Sequence, residues 1–177
     1  MSRGETWIVW LAQGMGAGRL RPAPGTWGSL VGLAWTLILV STANPWAYAL
    51  GTLAAIVAAI PACTIAERAL GVHDPSSVVI DEWVSMPLAF GGHAAMWVAS
   101  GAGLPTFATF RGWWPHLVVA FVLFRILDIA KPWPIRALQR LPGGLGIVLD
   151  DVGAGMVAAA MHLLGTWAMF AVRLALG

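Results

Sequence analysis

Charge is what this chain has least of. Only 10% of its 177 residues are Asp, Glu, Lys or Arg, against a hydrophobic fraction of 59% and a mean hydropathy of +0.78. Soluble domains carry about 25% charged and about 45–50% apolar residues, so this deficit excludes an ordinary water-soluble domain and indicates an integral membrane protein. The net charge of +2, with no basic run interleaved with aromatics, leaves no nucleic-acid partner to expect. Cys63 is the single cysteine, which excludes an intrachain disulfide. Repeats and long linkers are missing too, which predicts one domain over residues 1–177. Near the N-terminus, Glu5 and a short apolar run at residues 7–12 make a poor signal peptide, so the chain is expected to be uncleaved. What the chain has in quantity is tryptophan, eleven residues, suited to anchoring at membrane–water interfaces.

The few charges are grouped. Residues 22–66, 83–110 and 152–172 contain none, and breakers punctuate the apolar stretches. Pro24-Gly25-Thr26 predicts a turn with Thr26 as N-cap of a helix over 27–43. Asn44-Pro45 ends it, and a second helix follows over 46–70, stopped by Gly71. Asp74-Pro75 reads as an N-cap followed by proline at the first helical position, opening a third helix to residue 90. Gly91-Gly92-His93 interrupts, and 94–114 either continues that span or forms a short extra helix. A fourth helix is expected over 115–131, stopped by Pro132 and Pro134, and a fifth over 147–174 after Gly143-Gly144-Leu145-Gly146. The prediction is an all-α bundle of about five main helices, mostly membrane-spanning or membrane-embedded. If each crosses once, every acid falls on one side, with eight of the ten cations (all but Arg111 and Arg173), and the bias of Lys and Arg makes that side cytoplasmic.

That face gathers Asp74, Asp81-Glu82, Arg125 with Asp128 and Lys131, Arg136, and Asp150-Asp151. Ionisable groups at a membrane border are costly unless paired, solvated or metal-bound, and adjacent carboxylates repel without a cation. Asp81, Glu82, Asp128, Asp150 and Asp151, without a Cys or His cage, suit a hard cation with oxygen ligands, Mg²⁺ first. Arg125, Lys131 and Arg136 suit a phosphate, assisted by Thr26, Ser29 and His73. The N-termini of the first, third and fifth helices would add backbone N–H groups. Bland readings stand beside these: Asp74, Thr26 and Ser29 as caps, Arg125–Asp128 as a plain ion pair, Glu67-Arg68 as a solvated helix end, and His93, His116 and His162 as isolated structural residues. Together the pattern reads as phosphoryl chemistry at a membrane surface. A small ion or metal transporter is the alternative, but it predicts acids spread through the membrane depth.

Other phosphatase chemistries lack their motifs. Cys63 and Arg68 are one residue too close for a cysteine-phosphatase loop. No Asp-x-Asp nucleophile pair, no P-loop and no repeated Asp pattern of the CDP-alcohol transferases is present. Instead, Pro24-Gly25-Thr26-Trp27-Gly28-Ser29, Gly71-Val72-His73-Asp74, Ile80-Asp81-Glu82, the run from Phe124-Arg125-Ile126-Leu127-Asp128 through Lys131-Pro132-Trp133-Pro134-Ile135-Arg136, and Gly143-Gly144-Leu145-Gly146 through Asp150-Asp151-Val152-Gly153 resemble phosphatidylglycerophosphatase A. The motifs occur in that family's order across nearly the whole chain. Ser85 departs from it, standing where the family usually has glycine. The resemblance implies a Mg²⁺-dependent phosphatase of the bacterial inner membrane, active on its cytoplasmic face, that converts phosphatidylglycerophosphate to phosphatidylglycerol. The residue pattern leaves open whether water or a carboxylate attacks phosphorus, and leaves the oligomeric state open.

Overall fold

The computed structural model describes residues 1–176, which form seven α-helices and no strand. They are α1 (Arg3–Ala12), α2 (Pro24–Ser41), α3 (Pro45–Leu70), α4 (Ile80–Ala99), α5 (Phe110–Ala130), α6 (Ile135–Leu138) and α7 (Gly144–Leu176), with 3₁₀ turns at Gly14–Arg19 and Phe107–Thr109. Four segments are long and apolar enough to cross a membrane: α2, α3, α5 with its preceding turn, and α7. Their outward faces carry exposed Ile38, Leu53, Val57, Met156 and Leu164, side chains that belong in lipid. The fifth long helix, α4, is wrapped by α2, α3, α5 and α7. It buries Val84, Met86, Ala89 and Phe90, so it needs no uniformly apolar surface.

Local chemistry explains the helix limits, and in several places corrects the sequence reading. Asn44 caps α3 by accepting from the Trp46 and Ala47 N–H groups at 2.9 and 3.2 Å, and left-handed Gly71 (φ 68°) ends it, as expected. Thr26, in contrast, is inside the first turn of α2 rather than capping it: Pro24 occupies the first position. Asp74 is not a helix cap either. Its φ of 47° places it in the left-handed region, and α4 starts only at Ile80. Long-range contacts set that start, since the Ala12 carbonyl accepts from Val79 N at 2.9 Å and Gln13 Nε2 donates to Ser77 Oγ at 3.0 Å. The predicted break at Gly91-Gly92-His93 does not occur; α4 continues to Ala99, and α5 begins at Phe110 rather than residue 115. The short N-terminal run is itself helical, closed by reciprocal hydrogen bonds between Ser2 and Glu5.

Close approach holds α4 in place. Pro87 has no N–H to offer the Trp83 carbonyl. Gly32 of α2 fills the space beside that carbonyl, where a Cβ would lie 2.8 Å from the oxygen and 2.6 Å from Met86 Cβ. The buried Tyr48 hydroxyl of α3 donates to the Pro87 carbonyl at 2.6 Å. On the other side, Gly92 lies against the Ala159 carbonyl of α7.

Candidate active site

The starts of α2, α4 and α7 and the ends of α3 and α5 meet at one pole of the bundle, where the sequence motifs converge. Asp81 and Glu82 lie in the first turn of α4, and Asp151 in the second turn of α7. One carboxylate oxygen from each of the three lies within 4.8 Å of one from each of the others. Asp81 and Asp151 are almost wholly buried, and Asp81 Oδ1, Glu82 Oε2 and Asp151 Oδ2 have no hydrogen-bond partner. Three converging carboxylates with orphaned buried oxygens could together hold a metal ion, because unpaired buried charge is costly.

The other two carboxylates are engaged by cations. Arg125 Nη1 donates to Asp128 Oδ2 at 2.5 Å and to Ser29 Oγ at 3.4 Å, and stands 4.0 Å from Glu82 Oε1. Lys131 lies 3.7 Å from Asp128 Oδ1 and donates to Asp150 Oδ2. Burial alone would depress the Lys131 ammonium. Its hydrogen bond to Asp150 and the charges of Asp151, Asp150 and Asp128 more than reverse this and hold it above its ordinary value. Of the five carboxylates, Glu82, Asp128 and Asp150 lie within ion-pair reach of the two cations and Asp81 and Asp151 do not, a formal excess of negative charge that a divalent cation would offset. Arg125 Nε is buried without an acceptor, a donor left over at the edge of the cluster.

Gly25, read from the sequence only as part of a turn, admits this arrangement. A Cβ there would lie 2.4 Å from Glu82 Oε1 and 3.1 Å from Arg125 Nη1, so glycine lets α2 approach both without displacing these side-chain ends. Thr26 is half-buried beside it, and Ser29 is buried with its hydroxyl donating to the Gly25 carbonyl. His73 is exposed and bonded to Glu67, which is therefore more than a solvated helix end. His73 and Asp74 line a small cavity of about 210 Å³ with Gln139, Gly146, Ile147 and Asp150. Gln139 is an addition that no motif announced. Arg136 is exposed on α6 and makes no ion pair among the described residues.

Two expectations about α7 change. Asp150-Asp151 do not open the helix, which begins six residues earlier at Gly144. Its first N–H, on Gly144, is taken by Thr64 Oγ1 at 2.9 Å and is not offered to the pocket. The three histidines are also not isolated: His93, His116 and His162 meet in the bundle interior.

Fold and site together define an all-helical membrane protein with a carboxylate pocket beside half-buried cations. The sequence model of the family described as phosphatidylglycerophosphatase A matches residues 10–166, and the chain belongs to this phosphatase family. It is 36% identical over 149 residues to the phosphatidylglycerophosphatase A of Haemophilus influenzae, covering 84% of this chain and 82% of that one. With the Escherichia coli protein of the same name it shares 37% identity over 153 residues, 85% of this chain and 78% of the relative. A Bacteroides thetaiotaomicron protein named as a candidate phosphatidylinositol-3-phosphatase is 32% identical over 173 residues, 94% of this chain and 98% of its own length. No solved structure matches the chain.

Proposed function

We propose that the chain, acting as one domain over residues 1–177, hydrolyses phosphatidylglycerophosphate to phosphatidylglycerol and inorganic phosphate, dependent on Mg²⁺. The observation that carries this is the juxtaposition of three carboxylates that each bury an unpartnered oxygen, Asp81, Glu82 and Asp151, with the Arg125–Asp128–Lys131–Asp150 chain of ion pairs. The substrate comes from the names of the Haemophilus and Escherichia relatives.

In this reading Asp81, Glu82 and Asp151 hold the metal, with Asp128 and Asp150 at its margin. The bound ion would polarise the phosphoryl oxygen and favour ionisation of the attacking water. Arg125 grips the phosphate through the donors it does not spend on Asp128, and Ser29 fixes the guanidinium from behind. Lys131 supplies a second positive charge and pairs with Asp150 at the cavity shared with His73, Asp74 and Gln139. Arg136 and Thr26 stand further out, placed to meet the glycerol phosphate as it enters from the interface. The excess of carboxylate over cation would repel a phosphate ester from a metal-free site, so activity should be absolutely metal-dependent. We place the site at the cytoplasmic face of a bacterial inner membrane, where the Lys and Arg excess belongs.

Phosphate release from phosphatidylglycerophosphate by purified protein, with Mg²⁺ and with chelator, tests this. Release only with the divalent ion is expected; full activity in chelator would remove the metal. The Bacteroides relative motivates a parallel arm with phosphatidylinositol 3-phosphate. Faster hydrolysis of that lipid would keep the site and change the substrate.

A further inference from the structure

About 18 Å along the bundle from the carboxylates, a second cluster has no part in the chemistry above. His93, His116 and His162 stand twelve residues from Asp81, Asp128 and Asp150 respectively. At 1.5 Å per residue, the shared offset sets all three at one level of α4, α5 and α7. One ring nitrogen from each lies within 4.8 Å of one from each of the other two. His116 Nδ1 and His162 Nε2 are 3.0 Å apart, and the His93 ring stacks on His116 with centroids 3.6 Å apart. His93 and His162 are almost fully buried. His93 Nε2 and His162 Nδ1 are buried with no hydrogen-bond partner.

We propose that these three histidines form a second metal site, for a borderline divalent ion of the zinc class, tying α4, α5 and α7 together in the half of the bundle away from the carboxylates. Imidazole suits zinc and its first-row neighbours, whereas Mg²⁺ belongs with oxygen donors. Two imidazoles on a tetrahedral zinc, at about 2.0–2.1 Å each, leave their nitrogens about 3.4 Å apart, close to the 3.0 Å between His116 Nδ1 and His162 Nε2. Histidine χ2 is a soft torsion, so the stacked rings can turn their nitrogens toward one point without moving backbone. An intramembrane trio of polar rings with orphaned nitrogens is otherwise hard to justify.

Three neutral ligands leave the ion its charge, which favours an anion or hydroxide in the fourth position. A groove of about 760 Å³ between α4 and α7 is lined in part by Gly92 and Leu163, the chain neighbours of His93 and His162, though neither histidine lines it. The rings lack a carboxylate behind them, which lowers the expected affinity by about 10- to 100-fold relative to a fully supported site. This inference does not depend on the phosphatase reading.

The chain has four histidines, so untagged protein carrying His73→Ala keeps only this trio. Titrated with Co²⁺ alone while excess Mg²⁺ occupies the carboxylates, it should take up one equivalent with the intense visible absorption of a tetrahedral ion. Adding His93→Ala or His162→Ala should abolish that absorption, whereas adding Asp151→Asn should preserve it. X-ray absorption of the zinc-loaded His73→Ala protein, which needs no change in the trio, should report three imidazoles. Weak octahedral cobalt absorption, no uptake, absorption that survives the His substitutions, or fewer than three imidazoles would each overturn the site.

Discussion

Two clusters of ionisable groups occupy the same three helices, and they solve the problem of polarity in a bilayer differently. At the pole, negative charge is in excess, and Arg125 and Lys131 compensate part of it. One level deeper, the histidine trio makes no ion pair among the described residues. The pole can meet water and headgroups, so charge can be kept there for electrostatic work. The deeper level cannot, so its donors are the neutral rings that metal ligation or stacking requires. The comparison ties residue type to depth: carboxylates where a hard ion and a phosphate arrive, imidazoles where a charged ligand would be hardest to keep.

Changes at the pole should act on turnover before stability, and this is the most direct way to break the comparison. Asp151→Asn keeps shape and removes charge. We expect the protein to stay folded in detergent while phosphate release falls about 10²-fold or more, the scale of losing one electrostatic catalytic group. Since Asp151 lies inside α7 and not at its cap, near-normal turnover could not be explained by helix capping and would displace it from the site. Arg125→Lys keeps charge but loses the guanidinium fork. A drop of about tenfold in kcat/KM is expected, the effect of one charged hydrogen bond worth about 1.5 kcal/mol. An unchanged value would mean that Arg125 merely neutralises Asp128.

Changes away from the pole should act on stability instead. At Gly92 a Cβ would lie 2.7 Å from the Ala159 carbonyl, so Gly92→Ala must push α4 and α7 apart. A loss of about 1–3 kcal/mol is expected from such overpacking, measured as a lower Tm in detergent. An unaltered Tm would show that the approach of α4 to α7 is not held by this contact. The smallest effect belongs to Ser2→Ala. Removing the α1 cap should cost about 1 kcal/mol in stability and leave turnover intact, because Glu5 serves that cap and not the pocket. A large loss of turnover would draw α1 into the site.

Much of the pole was legible because charge is conspicuous in so apolar a chain. Asp81-Glu82 and Asp150-Asp151 had to sit at borders of apolar stretches, and alternating helices had to bring them together. Asn44-Pro45 and Gly71 fixed α3 for equally local reasons. Helix starts set by distant partners were not legible. Asp74-Pro75 has the letters of a cap, yet Ala12 and Gln13, more than sixty residues away in sequence, decide where α4 begins. Likewise Thr64 receives the first N–H of α7, eighty residues on, and moves its start ahead of Asp150. The histidine level was missed because each ring is alone on its helix. The signal was the common twelve-residue offset from three aspartates, which becomes visible only when helices are compared in register.

The central claim is that the unpaired carboxylates of the pole form a cation site, and calorimetric titration with Mn²⁺ as a stand-in for Mg²⁺ tests it without relying on turnover. Wild-type protein should bind with measurable heat. Asp81→Asn and Asp151→Asn should each lose that binding while their Tm without metal stays near the wild-type value, and Gln139→Ala, at the edge of the neighbouring cavity, should retain it. Mn²⁺ affinity unchanged in both Asp variants would contradict the account.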